Sequence, residues 1–437
     1  MSTKAGSTQL TSAGAGAPAN GDPVGNTTNL CTSPPRRKIP IIFAPGVMGS
    51  RLHFTAIDES WDPDGTWAMV HWLRIGAERA RTELRWTTPA TVMTTAGKDI
   101  TAEELAHGYA GVAKGFYVAF LRYLRAQVFN LNVDTPVYGV GYDWRQSNKN
   151  SGAYLTRQVN RILGIEGAGQ CILVSHSMGG MVTRSAMKDG LAGKVLGVVH
   201  IYQPVDGAVV MYRRFFTGAT RAYDGGWGGV ALNSIIGNTA DKFATTSSGM
   251  PGPIQLLPTN NYKDTGGKPW LNFKLEGRTS AWPGDVYGLY NAVATPPGIA
   301  PLTIIPVATA DIRTNVTVAK NFHAALGRYK HPRTKTIHST GLVADMAILF
   351  DPPIKPSPVT TTVAGWFGTT HDVTTQLAWT DRGAHRIARA TSDGTVPATS
   401  GNPLRPNVEV TGVEHSAACN DGPTRDNVKK WIEEFLA

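Results

Sequence analysis

Ser177 stands in the fragment "CILVSHSMGGMVTR", Cys171 to Arg184, where an apolar run gives way to a helix-like pattern. A serine hydroxyl is a poor nucleophile at neutral pH, so chemistry here needs a base beside it and a third group that holds the base in one tautomer. The chain supplies both downstream: Asp393 in "TSDGTVP" and His415 in "GVEHS". Brought to one point, the three would perform nucleophilic acyl transfer through a covalent acyl-serine. Each also has a plainer reading. Ser177 fits an ordinary strand-to-helix turn, and Asp393 suits the start of an Asp-Gly turn, with Glu414 and Asp421 as substitutes for the acid. His415 is one of 11 histidines. Of the others, His176 adjoins the serine and points the wrong way for a base, and His200 falls within a predicted strand.

The acyl-transfer intermediate needs two backbone N–H groups fixed in advance near its oxyanion. One belongs to Met178, the residue after the serine. The other is expected from the loop "PGVMGS", Pro45 to Ser50, whose glycines let the backbone approach a ligand. Val47 is the expected donor. A nucleophile on so sharp a turn needs small residues two before and two after it. Ser175 and Gly179 meet that need, although the G-x-S-x-G signature would place glycine at 175.

The elements that must position these residues alternate along the chain. "KIPIIFAPGVMGSRL" predicts a buried strand from Ile39 to Ala44 that breaks at Pro45-Gly46. "GFYVAFLRYLRAQVF" sets Phe116, Phe120, Leu121 and Leu124 at helical spacing. A strand then ends at Asp143 in "PVYGVGYDWR", and "YLTRQVNRILG" predicts a helix closed by Gly164. Strand "CILVS", a helix after Ser177 and strand "VLGVVHI" follow. Apolar strands without alternation, separated by helices, indicate an α/β fold with a mostly parallel sheet covered on both faces. From about Pro204 to Pro301 the pattern fails, which predicts an inserted cap. Its Trp227, Trp270 and Trp282 read as local core before they read as ligand contacts. "LTIIPVA" at Leu302 to Ala308 and "TKTIHSTG" at Thr334 to Gly341 are expected to resume the sheet, and "DPPIKPSPVTTTVAGWFGTTHD" interrupts it again. Strand "NVEVTGV" and a closing helix with Val428, Trp431, Ile432 and Phe435 on one face complete the domain.

Composition bounds the function classes. The 437 residues carry 41% hydrophobic and 17% charged side chains, as an ordinary globular chain does, and no apolar run is long enough to cross a bilayer. Residues 1–36 read as a flexible leader without a conventional secretory signal, leaving a specialised export route open. The charge of +10 favours an anionic surface, but outside "PPRRK" the basic residues are dispersed, which argues against nucleic acid. Cys31, Cys171 and Cys419 have no metal spacing, and no zinc, calcium, phosphate-loop or dinucleotide pattern is present, so no cofactor or metal is expected. Cys171 is expected to be a small core residue. Asp143 precedes the serine, the wrong side for the triad acid, and is expected to pair with Arg145.

Four segments, "IIFAPGVMGSRL", "YGVGYDWR", "LVSHSMGG" and "SDGTVP" followed by "VEHS", resemble in order and context the lecithin:cholesterol acyltransferase-like lipase and phospholipase branch of the α/β-hydrolases. They run from Ile41 to Ser416. The resemblance implies Ser177 as nucleophile, Asp393 as acid, His415 as base, and Val47 and Met178 as oxyanion donors. It further implies a serine hydrolase cleaving lipid carboxyl esters, phospholipid or acylglycerol, with transient contact at a lipid surface. Acyl transfer to an alcohol would use the same triad, and a catalytically silent binding module would keep the fold alone. Substrate choice is expected to lie in the 204–301 cap.

Overall fold

The computed structural model describes residues 36–95, 99–219, 235–275, 278–281, 285–287, 306–351, 359–364, 370–375, 384–401, 403–404 and 407–437. All of the predicted leader but Arg36, together with Cys31, Trp227 and Trp282, lies outside them. By its internal contacts the chain divides into Met1–Arg36 and Arg37–Ala437, and all elements below belong to the second unit.

Six strands form the central sheet: β1 (Ile41–Ala44), β2 (Val137–Gly139), β3 (Cys171–His176), β4 (Val195–Ile201), β5 (Thr334–Thr340) and β6 (Asn407–Thr411), in the spatial order β6-β5-β4-β3-β1-β2. Every neighbouring pair is parallel. Side chains on a strand alternate between faces, and the two faces feed two apolar clusters. Ile42, Ala44 and Leu173 belong to one cluster, Ile41, Phe43, Ile172 and Val174 to the other. On the first face lie helices Asn148–Glu166, through Leu155, Val159 and Ile162, and Pro306–Leu326. The second face is covered by helices Lys114–Gln127 and Gly422–Leu436. Burial on both sides is why these strands are continuous apolar runs, and each fully buried side chain contributes about 1.5–3 kcal/mol.

Several expected boundaries shift. The helix predicted to close at Gly164 runs on to Glu166 and ends at Gly167, whose φ of 61° supplies the left-handed cap. In helix Lys114–Gln127 the inward residues are Tyr117, Phe120, Leu121 and Leu124, while Phe116 is exposed. The strand expected to reach Asp143 ends at Gly139. Beyond it Arg145 is fully buried, and its guanidinium donates to Asp143 at 2.9 and 2.8 Å and to the carbonyls of Arg85 and Thr88. The expected Asp143–Arg145 pair is therefore formed.

"LTIIPVA" does not resume the sheet in its described part, because Pro306 opens a helix to Leu326. Proline fits the first helical turn, and Ala308, Ile312, Val316, Ala319, Phe322 and Leu326 recur at intervals of three and four, all buried. The stretch after Asp351 contains a hairpin, Val359–Ala364 with Thr370–Thr375. A second sheet was not foreseen. Strands Leu342–Asp351 and Ala384–Ser392 pair antiparallel, and Leu271–Leu275 and Arg278–Ala281 extend that sheet.

The described parts of the 204–301 segment hold helices Val209–Thr217 and Ala240–Ser248. Their Tyr212, Phe215 and Phe243 share one apolar cluster with Leu173 and Val198 of the central sheet. Trp270 is buried with its ring across Tyr212 at 5.2 Å, which is the local-core reading.

Candidate active site

Strand β3 delivers Ser177 just beyond its last residue, on a turn whose backbone is strained. Ser177 has φ 54°, a left-handed conformation that a residue with a Cβ rarely adopts, and its N–H donates to the Ile201 carbonyl at 2.9 Å. The turn is tight enough that a Cβ on Gly179 would collide with the carbonyl oxygens of Ala44 and Pro45. Position 175 is different. Ser175 is fully buried, and its Oγ lies 2.7 Å from His200 Nδ1, its neighbour in register on β4. The side chain therefore has both room and a partner, which is why glycine is not required there.

The structure brings the three sequence-derived residues together. His415 opens a 3-10 turn, His415–Asn420, directly after β6. Its Nε2 is 2.8 Å from Ser177 Oγ, and its Nδ1 is 2.6 Å from Asp393 Oδ2. The loops of Asp393 and His415 are also joined through the backbone, His415 N–H donating to the Asp393 carbonyl at 2.9 Å. Asp393 does form an Asp-Gly turn, with Gly394 at φ 85°. Its Oδ1 accepts the N–H groups of Thr395 and Val396 at 2.9 and 2.6 Å. That leaves Oδ2 for the imidazole, so the turn reading and the triad reading describe one arrangement. It is Asp393, not Glu414 or Asp421, that lies at His415 Nδ1, and Asp421 instead caps the final helix through the Thr424 N–H.

The two expected oxyanion donors lie in the anticipated places, Met178 at the start of helix Gly179–Ala186 and Val47 in the loop after β1. Neither backbone N–H is engaged by another acceptor among the described residues, whereas that of Gly46 donates to the Tyr117 hydroxyl at 3.2 Å. His176 is buried behind the serine, its Nδ1 3.0 Å from the Tyr117 oxygen and its Nε2 3.0 Å from the His415 carbonyl oxygen. Burial, and then the nearby His415, hold its pKa well below the ordinary 6.5. Neither the contact of His176 with the His415 carbonyl nor the part of Tyr117 was anticipated from the sequence.

A cavity of about 430 Å³ opens beside Asp393 and His415, lined also by Val210, Arg213 and Arg214 of helix Val209–Thr217 and by Leu342 to Asp345. A larger one of about 610 Å³, lined by Tyr138 and Arg157 among others, touches none of the three residues, so size alone does not mark the chemistry. Among the described residues no group of three or more His, Cys, Asp or Glu could hold a metal ion. No helix there is long and apolar enough to cross a membrane. Cys171 and Cys419 are both buried and unpaired.

Comparison with known proteins bears on the fold around this site. Residues 102–293 match the family model described as lecithin:cholesterol acyltransferase. A chain from the crystal structure of the Tle4-Tli4 complex superposes with a TM-score of 0.70 at 19% identity, covering 91% of this chain and 98% of that one. That likeness is one of fold. The mature form of the Bacillus licheniformis lipase BlEst2 matches at 12% identity over 92% of this chain and 93% of its own, with a TM-score of 0.34. No curated protein matches the sequence. With a parallel sheet, a strained serine turn after the third strand and a match to the lecithin:cholesterol acyltransferase model over residues 102–293, this chain has an α/β-hydrolase fold and is similar to that family across the serine turn.

Proposed function

We propose that the protein is a serine hydrolase that cleaves carboxyl esters of lipids, phospholipid or acylglycerol, through an acyl-enzyme. The observation that carries this reading is the unbroken hydrogen-bond chain from Ser177 Oγ through His415 to Asp393, at 2.8 and 2.6 Å. In it His415 Nε2 takes the serine proton as Oγ attacks the ester carbonyl, and Asp393 stabilises the imidazolium that results. The oxygen of the tetrahedral intermediate is held by the N–H groups of Val47 and Met178. His415 then returns its proton to the leaving alkoxide. Water deprotonated by the same histidine attacks the acyl-serine, and the fatty acid departs.

The 204–301 segment is assigned to the cap that selects the substrate, over the cavity beside Asp393 and His415. Val210 and its neighbours reach that cavity from this segment. The family match supports a second reading in which an alcohol replaces water in the second step. Incubation with a mixed membrane lipid extract, followed by mass spectrometry, separates them. Free fatty acid with lysophospholipid or diacylglycerol is the expected outcome, and a new ester of an added alcohol would establish transfer. If a folded protein left every lipid unchanged, the silent binding module would be the better account.

A further inference from the structure

The chemistry above uses Ser177, His415, Asp393 and two backbone donors, yet a second polar chain runs behind them. It begins at Gly46, whose N–H donates to the Tyr117 hydroxyl oxygen at 3.2 Å, continues over 3.0 Å from that hydroxyl to His176 Nδ1, and ends where His176 Nε2 meets the His415 carbonyl at 3.0 Å. Its polarity is determined throughout. A carbonyl oxygen only accepts, so Nε2 carries the ring proton. Burial keeps the ring neutral, so Nδ1 has only a lone pair and Tyr117 must donate to it. The tyrosine oxygen then has lone pairs left for the Gly46 N–H. Each bond requires the next.

The packing is equally constrained. Tyr117 is 4% and His176 5% exposed. A Cβ added to Gly46 would lie 3.0 Å from Ser177 Cβ, 3.1 Å from His176 Nδ1 and 3.3 Å from the Tyr117 oxygen. One added to Gly49 would lie 2.8 Å from the Tyr117 ring and hydroxyl. Both glycines of the "PGVMGS" loop are thus closed around this one hydroxyl. The His176 ring also packs against that of His415, with centroids 4.9 Å apart. An apolar pair would fill the same space without the cost of desolvating two polar side chains. What the polar pair adds is a directional link between the loop that carries Val47 and the backbone of His415.

We propose that Tyr117 and His176 are positioning residues that lock the oxyanion loop to the base, so that the Val47 N–H and the His415 ring hold one shared geometry. The inference rests on the serine-hydrolase reading and deepens it. Fixing Gly46 orients the peptide that bears the Val47 N–H, and fixing the His415 carbonyl sets where the imidazole starts. Loosening either end should therefore weaken transition-state stabilisation more than ground-state binding.

The test is steady-state hydrolysis of p-nitrophenyl butyrate, together with the rate of Ser177 labelling by a fluorophosphonate. The proteins compared are the parent, Tyr117→Phe, His176→Asn, His176→Gln and the double variant Tyr117→Phe/His176→Asn. Tyr117→Phe should lower kcat by about 10- to 100-fold with KM within about twofold. His176→Asn, which keeps an acceptor for Tyr117 but cannot reach the His415 carbonyl, should lose a similar amount. His176→Gln, whose amide can reach that carbonyl, should recover part of it. Because the residues act as one chain, the double variant should be no worse than the poorer single one. The His176 variants approach from the other end, so the test does not depend on Tyr117→Phe folding. A parent that turns over and labels at Ser177, with folded variants that match it in kcat and lose only thermal stability, would overturn the inference alone. So would losses that multiply independently. A parent that neither turns over nor labels would remove the serine-hydrolase reading itself, and this inference with it.

Discussion

Two serine–histidine hydrogen bonds lie side by side at the end of β3. Ser177 meets His415 at 2.8 Å, and two residues earlier Ser175 meets His200 at 2.7 Å. By distance alone they are equivalent, but their surroundings differ. His415 has Asp393 on its far nitrogen, whereas His200 Nε2 has no hydrogen-bond partner among the described residues. Ser177 sits at φ 54° on the turn beyond the strand and is 5% exposed; Ser175 is fully buried in a regular strand. A serine beside a histidine is therefore not in itself a reactive pair. Asp393 on the far nitrogen and the strained turn are what distinguish the first from the second.

Substitutions at the two pairs should separate them most widely. Ser177→Ala and His415→Ala are each expected to lower kcat for a soluble ester by about three to six orders of magnitude with the fold intact, and not additively. Ser175→Ala should change kcat by less than about threefold and instead lower stability by about 1–2 kcal/mol, because His200 Nδ1 loses its partner. Ester kinetics beside thermal unfolding would measure both, and comparable kinetic losses at 175 and 177 would erase the distinction.

Asp393→Asn isolates the orienting acid. The amide oxygen can still accept from Thr395 and Val396 and so keep the turn, but an NH2 group facing His415 Nδ1 would favour the wrong tautomer. The expected loss in kcat is about 10⁴-fold with little change in melting temperature. Near-parent activity would reassign the acid.

Acid should expose the second pair through stability. Burial lowers the pKa of His200 to about 3 and that of His323 to about 4, from an ordinary 6.5. Below about pH 6.5 the unfolded chain takes up these protons and the folded chain does not, so stability is full above that pH and falls as the pH drops toward the folded values. A decline of a few kcal/mol should begin before carboxylates titrate, and His200→Gln should flatten it. A melting temperature constant down to pH 4 would contradict this.

The smallest contrast concerns neighbouring glycines. A Cβ at 179 would strike backbone carbonyls, which cannot yield, whereas one at 180 would meet only the Gln203 side chain. Gly179→Ala should therefore impair folding and turnover more than Gly180→Ala, by about 1–3 kcal/mol in unfolding free energy.

What was legible in the sequence follows from the same physics. β1, β3 and β4 are buried on both faces and read as apolar runs, which marks the turn of Ser177, whereas Asp393 and His415 follow strands of mixed side chains and were reached through the chain order Ser-Asp-His. The helix from Pro306 was misread because its first residues, "PVA", follow an apolar run that imitates a strand. Its true period emerges only over the next five turns. Strands Leu342–Asp351 and Ala384–Ser392 carry mixed side chains and owe their pairing to partners about 40 residues apart in sequence. Ser175 and His200 did leave a signal, a polar residue near the end of each of two otherwise apolar strands that pair in register. Tyr117 left none, since nothing in its spacing reveals a partner on β3, and only the fold supplies it.

The central claim is that Ser177 alone is the activated serine. Labelling the intact protein with a fluorophosphonate, digesting it with trypsin and sequencing the peptide Ile162–Arg184 by tandem mass spectrometry tests it directly, because that peptide contains both Ser175 and Ser177. The account predicts a stoichiometric adduct on Ser177, none on Ser175, and no adduct in His415→Ala. An adduct on Ser175, or a folded protein that hydrolyses esters while Ser177 stays unmodified, would contradict it.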